Sequence, residues 1–147
     1  MKRIRFIAIF ALLIGFALSC EVEPPIPPCE RDHVGTVTVK NATPWSLWVD
    51  VTWGNVAENY EKLLYAGNSY KYNNVPAAGH PESNGGTIEV WNSVDGSQWY
   101  YEFRNLVPCE DMLFEWVPLT LKSANGCPFA LVLPNGDHVI PKLKIKQ

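Results

Sequence analysis

Four cysteines, Cys20, Cys29, Cys109 and Cys127, are the side chains whose positions best suit covalent chemistry. Cys20 closes an apolar run near the start of the chain. The other three are an odd set, so an oxidising compartment would permit one disulfide and leave one thiol. Cys109 and Cys127 have 17 residues between them. A bridge across such a loop stabilises by on the order of 3 kcal/mol in the chain-entropy account. Cys109–Cys127 is therefore the expected pairing, with Cys29–Cys109 and Cys29–Cys127 as the alternatives. A nucleophilic role for Cys109 is disfavoured. It precedes Glu110 and Asp111, and neighbouring acids raise a thiol pKa.

The setting of Cys20 is that of an export signal. Lys2, Arg3 and Arg5 form a basic head, and Phe6 to Leu18 follow as 13 residues without a polar side chain. A basic head, a short apolar run and a small residue before the cut describe a secretory signal peptide, here residues 1–19. The run is too short to cross a bilayer of about 30 Å as a helix. The segment Ala17-Leu18-Ser19-Cys20 resembles a bacterial lipobox, where a diacylglyceryl thioether forms on the cysteine before cleavage. Glu21 and Glu23 follow, as in lipoproteins of the Bacteroidota. The resemblance, mainly in residues 1–20 with the strand layout of residues 34–76 beside it, is to small β-sandwich lipoproteins of that phylum. It implies lipidation of Cys20, incorporation of palmitate, and an outer-membrane protein facing the periplasm or the cell surface. It implies no activity.

Other chemistry finds little support. His33, His80 and His138 lie in three separate segments, and the sequence has no His-x-His, His-Glu-x-x-His or paired-Cys motif. No metal and no cofactor is expected. There is no Gly-x-Ser-x-Gly elbow. Glu110 and Asp111 would point to opposite faces of a strand, so they cannot flank one glycosidic bond. Asp50, Glu89, Glu102 and Glu115 fall on outward positions. The expectation is a protein that is not an enzyme, the remote alternative being a small hydrolase. Three of the 12 basic residues leave with residues 1–19, whereas all 15 acidic ones stay, so the mature chain carries a side-chain charge of −6. Such a module gains nothing from counterion release, and no nucleic-acid partner is expected. Lys142, Lys144 and Lys146 alternate with Leu143 and Ile145, as on a solvated strand face.

The aromatics say more. Phe6, Phe10 and Phe16 belong to the signal, so the mature chain has six Trp and six Tyr against three Phe. Rings with a polar handle suit interfaces. Trp48, Trp91 and Tyr100 alternate with core-type neighbours and are expected on an outer face. They form a candidate binding surface for a glycan or an envelope protein, or else a set of cross-strand pairs with a purely structural role.

The elements that must position these residues are strands. Residues 20–33 contain Pro24, Pro25, Pro27 and Pro28, which favour an extended spacer of roughly 40 Å and oppose a helix. From residue 34 the pattern has period two: Val37 and Val39; Leu47, Val49, Val51 and Trp53; Ile88 and Val90; Trp99, Tyr101 and Phe103; Met112, Phe114 and Trp116. Asp95-Gly96 and Asn135-Gly136 are hairpin signals. Gly79, Pro81, Gly85 and Gly86 mark a longer loop, and residues 54–60 a non-periodic connection. Ala57 to Leu64 is the nearest approach to a helix, of one or two turns at most. The expected fold is an all-β, seven- to eight-stranded antiparallel sandwich over residues 34–147, in immunoglobulin-like or Greek-key order, with a small barrel as alternative. The expected function is a membrane-anchored, non-catalytic module binding protein or glycan at the cell envelope, or a structural accessory of an envelope complex.

Overall fold

The computed structural model describes residues 24–53, 61–91, 96–121, 123, 124 and 126–144. The signal segment, Cys20, the 54–60 connection and Asp95 lie outside the described residues. Those described form a β-sandwich. One helical turn, α1 (Pro28–Arg31), precedes ten strands: β1 (Val34–Asn41), β2 (Leu47–Trp53), β3 (Lys62–Leu64), β4 (Ser69–Pro76), β5 (Gly86–Trp91), β6 (Gln98–Phe103), β7 (Asp111–Pro118), β8 (Phe129–Val132), β9 (His138–Val139) and β10 (Lys142–Leu143). The first sheet has the order β4-β1-β7-β8-β9 and the second β10-β6-β5-β2-β3. The count exceeds seven or eight because β3, β9 and β10 are too short to carry a period. Lys62–Leu64 is strand, not helix.

Alternation sets the two layers. Val37, Val39, Leu47, Val49, Val51, Ile88, Val90, Trp99, Met112, Phe114 and Trp116 are all buried, and the residues between them are half-buried or exposed. Phe129 sits at the centre of an aromatic cluster. Its ring meets those of Trp45, Trp99 and Trp116 edge-on at centroid distances of 6.0, 5.7 and 6.2 Å. Edge-to-face contacts of this kind add about 0.5–1.5 kcal/mol each beyond area burial.

Every pairing between the named strands is antiparallel except β1–β7, which is parallel with Thr36 opposite Asp111 and Asn41 opposite Trp116. The parallel entry brings the two strand starts together. Cys29, five residues before β1, is bonded to Cys109, two residues before β7. The two strands leave one covalent knot in the same direction. This bond corrects the expected Cys109–Cys127 pairing. Cys127 lies outside the disulfide as a fully buried thiol, its S–H donating to the Phe129 carbonyl at 3.3 Å. The bridge excludes it because Cys127 belongs to the β7–β8 connection, at the other end of β7 from Cys109. The proline-rich stretch also contains a helical turn after all. Pro28 stands at the first helical position, where its missing N–H costs nothing.

Gly35 makes the knot compact. A Cβ there would lie 2.6 Å from Leu106 Cδ2 and 2.7 Å from the Glu110 carbonyl, so only glycine fits between β1 and the segment carrying Cys109. The Asn135-Gly136 signal is realised as the β8–β9 turn, with Gly136 at φ +87°. Pro141 falls where the chain leaves the edge of the first sheet and crosses to the edge of the second. It has no backbone N–H to offer either ladder.

Candidate functional site

The outer face of the second sheet carries the three aromatics singled out in the sequence. Trp48 on β2 lies directly opposite Trp91 on β5 and, on its other side, Leu63 on β3. The two indoles are parallel, 5° between their planes, with centroids 6.2 Å apart. Both are half-buried, and Leu63 is 36% exposed. Period-two alternation put both rings outward, and cross-strand register put them side by side.

One row further along the strands the chemistry turns polar. Asp50, Glu89, Tyr100 and Lys142 stand in register across β2, β5, β6 and β10. Tyr100, Glu89, Thr87, Leu143 and Lys144 line an open hollow of about 450 Å³. Lys144 donates to both oxygens of Glu89, at 2.7 and 2.6 Å. Lys142 sits over the Tyr100 ring, 5.5 Å from its centroid, and donates to Glu102 at 2.8 Å. That contact with Glu102 raises the Lys142 pKa. A second hollow of about 250 Å³ adjoins the first through Thr87 and is lined by Thr52, Asn84 and Glu102. The face is therefore a polar trough with hydroxyl, carboxylate and ammonium groups, flanked by the tryptophan pair. Such a set can stack on the apolar face of a sugar ring and hydrogen-bond its hydroxyls.

The remaining candidates fall elsewhere. Glu110 receives both guanidinium nitrogens of Arg104, at 3.0 and 2.6 Å, which hold its carboxyl below the usual range. Asp111 accepts from Thr36 Oγ1 at 2.6 Å and Lys71 Nζ at 2.9 Å, and its pKa is lowered, chiefly by Thr36. Each neighbouring acid thus has its own structural partners. His33 adopts φ +51° beside Gly79, His80 Nδ1 accepts from the Glu82 N–H at 3.2 Å, and His138 on β9 pairs with Val132 on β8. Among the described residues no group of three or more His, Cys, Asp or Glu could hold a metal ion.

A cleft that the sequence did not announce opens between the sheets. It measures about 330 Å³ and is lined by Tyr101, Phe103, Met112, Phe114 and Leu133, with Arg104 and Asn135 at its rim. Period two assigns these aromatics to the core. The opening arises because the sheets are not closed over Tyr101, which is only half-buried. Thr87 and Tyr100 lie on the consecutive strands β5 and β6, whereas Lys144 follows β10, and no signal in the sequence brings Lys144 to them before the strand register is known. No protein-family model, curated protein or solved structure matches the chain.

Proposed function

We propose that this chain is a membrane-anchored, non-catalytic lipoprotein whose domain binds glycan chains at the cell envelope. The site is the outer face of the second sheet. The observation that carries the reading is the polar hollow under Tyr100, Glu89 and Lys144 beside the parallel Trp48 and Trp91 rings. Sugars present both an apolar C–H face and a rim of hydroxyls, and this surface offers a complement to each. In the same reading the anchor is lipid on Cys20, after removal of residues 1–19, and the site lies at the outer membrane. Two or more acyl chains hold stably, each buried CH₂ contributing about 0.8 kcal/mol.

The test of the site is a glycan array probed with the mature domain and with Trp48→Ala, Trp91→Ala and Tyr100→Ala variants. Loss of binding in these variants with folding intact is the expected result. Binding indifferent to all three removes this face from the account. The anchor is tested separately. A Cys20→Ala protein should lose palmitate labelling and no longer sediment with membranes, and undiminished labelling would refute lipidation there.

A second reading, an accessory that docks on an envelope protein, is favoured by the exposure of Trp45 (49%), Tyr65 (59%) and Leu121 (83%). Affinity capture from native envelopes, with Trp45→Ala as control, separates it from the first.

A further inference from the structure

The bond between Cys29 and Cys109 fixes the end of the sandwich at which the segment preceding β1 is held. α1, the start of β1, the 77–85 connection and the Leu106–Glu110 segment gather at one end. The Ala77 N–H donates to the His33 carbonyl, Cys109 N–H to Val34 and Ala78 N–H to Leu106, at 2.8, 2.9 and 2.8 Å. The chain that leads back to Cys20 leaves from this end. At the opposite end lie the 42–46 connection, the 65–68 turn and the β7–β8 hairpin, joined by Gly67 N–H to the Asn41 carbonyl at 2.7 Å and Ala42 N–H to Trp116 at 2.8 Å.

The exposed aromatics follow this polarity. Among the described residues, Trp45, Tyr65 and Tyr70 all lie in the far half. So do Leu63, Trp48 and Trp91, because β2 begins at the far end and β5 finishes there. Trp48 is five residues along β2 from Trp53, about 17 Å at strand rise.

We propose that the disulfide clamps the stalk to this near end, so that the tethered domain stands with the Trp48–Trp91 end of its outer face turned away from the anchoring bilayer. The bond fixes Cys29, which removes residues 30–33 from the free tether. What remains between Cys20 and Cys29 spans about 28 Å if extended. Two attachments at one end, the disulfide and the start of β1, restrict how far the domain can swing. The charge of −6 on the mature chain opposes its lying down on an acidic lipid surface. The site then meets glycans that extend beyond the membrane, not short glycolipid headgroups within it. This inference rests on the lipid anchor and deepens the glycan reading by naming the class of chain.

The test is resonance energy transfer from the full lipidated protein in phosphatidylethanolamine–phosphatidylglycerol vesicles carrying a rhodamine lipid. A donor dye is placed through Glu82→Cys at the near end or Leu121→Cys at the far end. Cys127 is buried and stays unlabelled. Transfer from residue 82 should exceed that from residue 121 by about twofold or more, given a separation on the order of 20 Å along the strands. In a Cys29→Ser/Cys109→Ser background the two efficiencies should draw together. Equal transfer in the intact protein, or a greater value from residue 121, overturns the orientation. A ratio that does not change when the bond is removed overturns the clamp. Failure to float with the vesicles overturns the anchor and the proposal together. None of these readings depends on glycan binding, so the array result stands apart.

Discussion

Asn41 and Thr43 are the buried polar residues among those described. Asn41 is fully buried at the end of β1. Its Nδ2 donates to the Trp45 carbonyl at 2.7 Å and the Leu64 carbonyl at 2.9 Å, and its Oδ1 accepts from Thr43 N–H and Oγ1 at 3.0 and 2.7 Å. One amide thus serves the 42–46 connection and β3 together. Asn41→Ala would strand several of these groups in a low-dielectric site, and a loss of about 2–4 kcal/mol is expected from urea unfolding midpoints. Asn41→Asp should cost at least as much, since a carboxylate cannot donate to two carbonyls. Cys127 is the second residue with a distinct signature. Burial raises its pKa from 9.0 to about 11. A raised acid pKa lends stability that is fully present below 9.0 and is lost as pH rises towards about 11. Unfolding titrations should show that decline, and Cys127→Ala should abolish it. A thiol reagent at neutral pH should find no reactive Cys127 until the domain unfolds.

At the scale of the strand, the parallel β1–β7 pair and the outer tryptophan row each invite measurement. Thr36 on β1 supplies the leading hydrogen bond to Asp111 on β7, assisted by Lys71 on β4. Thr36→Val should therefore raise the Asp111 pKa, as read by carboxyl-carbon NMR titration. The native carboxylate, its pKa depressed, lends stability above the ordinary Asp range. That contribution disappears as pH falls through the lowered value, and the variant should lose less on acidification. Trp48 and Trp91 form a non-covalent tie between β2 and β5. A double-mutant cycle with Trp48→Ala and Trp91→Ala should give a coupling of about 0.5–1.5 kcal/mol. A modest coupling beside a complete loss of glycan binding would mark the pair as more than a sheet staple.

For the whole molecule the decisive feature is the single covalent cross-link of the described residues, which spans 80 positions from Cys29 to Cys109. A loop of this length restricts the unfolded chain strongly, and Cys29→Ser/Cys109→Ser should lower stability by about 2–4 kcal/mol in denaturant titrations. The cost falls on the near end first. Gly35 is packed against Leu106 and the Glu110 carbonyl there, so hydrogen exchange should quicken around residues 29–35 and 106–110 before the far end responds. An exchange change confined to the far end would contradict this placement.

The sequence by itself determined the faces. A two-residue period in hydrophobicity is a local property, and it told Val49 from Trp48 and Val90 from Trp91 without any knowledge of neighbours. Hairpin chemistry at Asn135-Gly136 was equally local. Which strands lie side by side is not local, because it depends on the path of the chain between the sheets. The Trp48–Trp91 stack, the Tyr100–Glu89–Lys144 hollow and the open cleft at Tyr101 all follow from that path. So does the disulfide. Loop length favoured Cys127 as the partner of Cys109, whereas the parallel entry of β1 and β7 brought Cys29 there instead. Spacing along a chain ranks the entropic cost of a contact; only the packed sheets decide which ends meet.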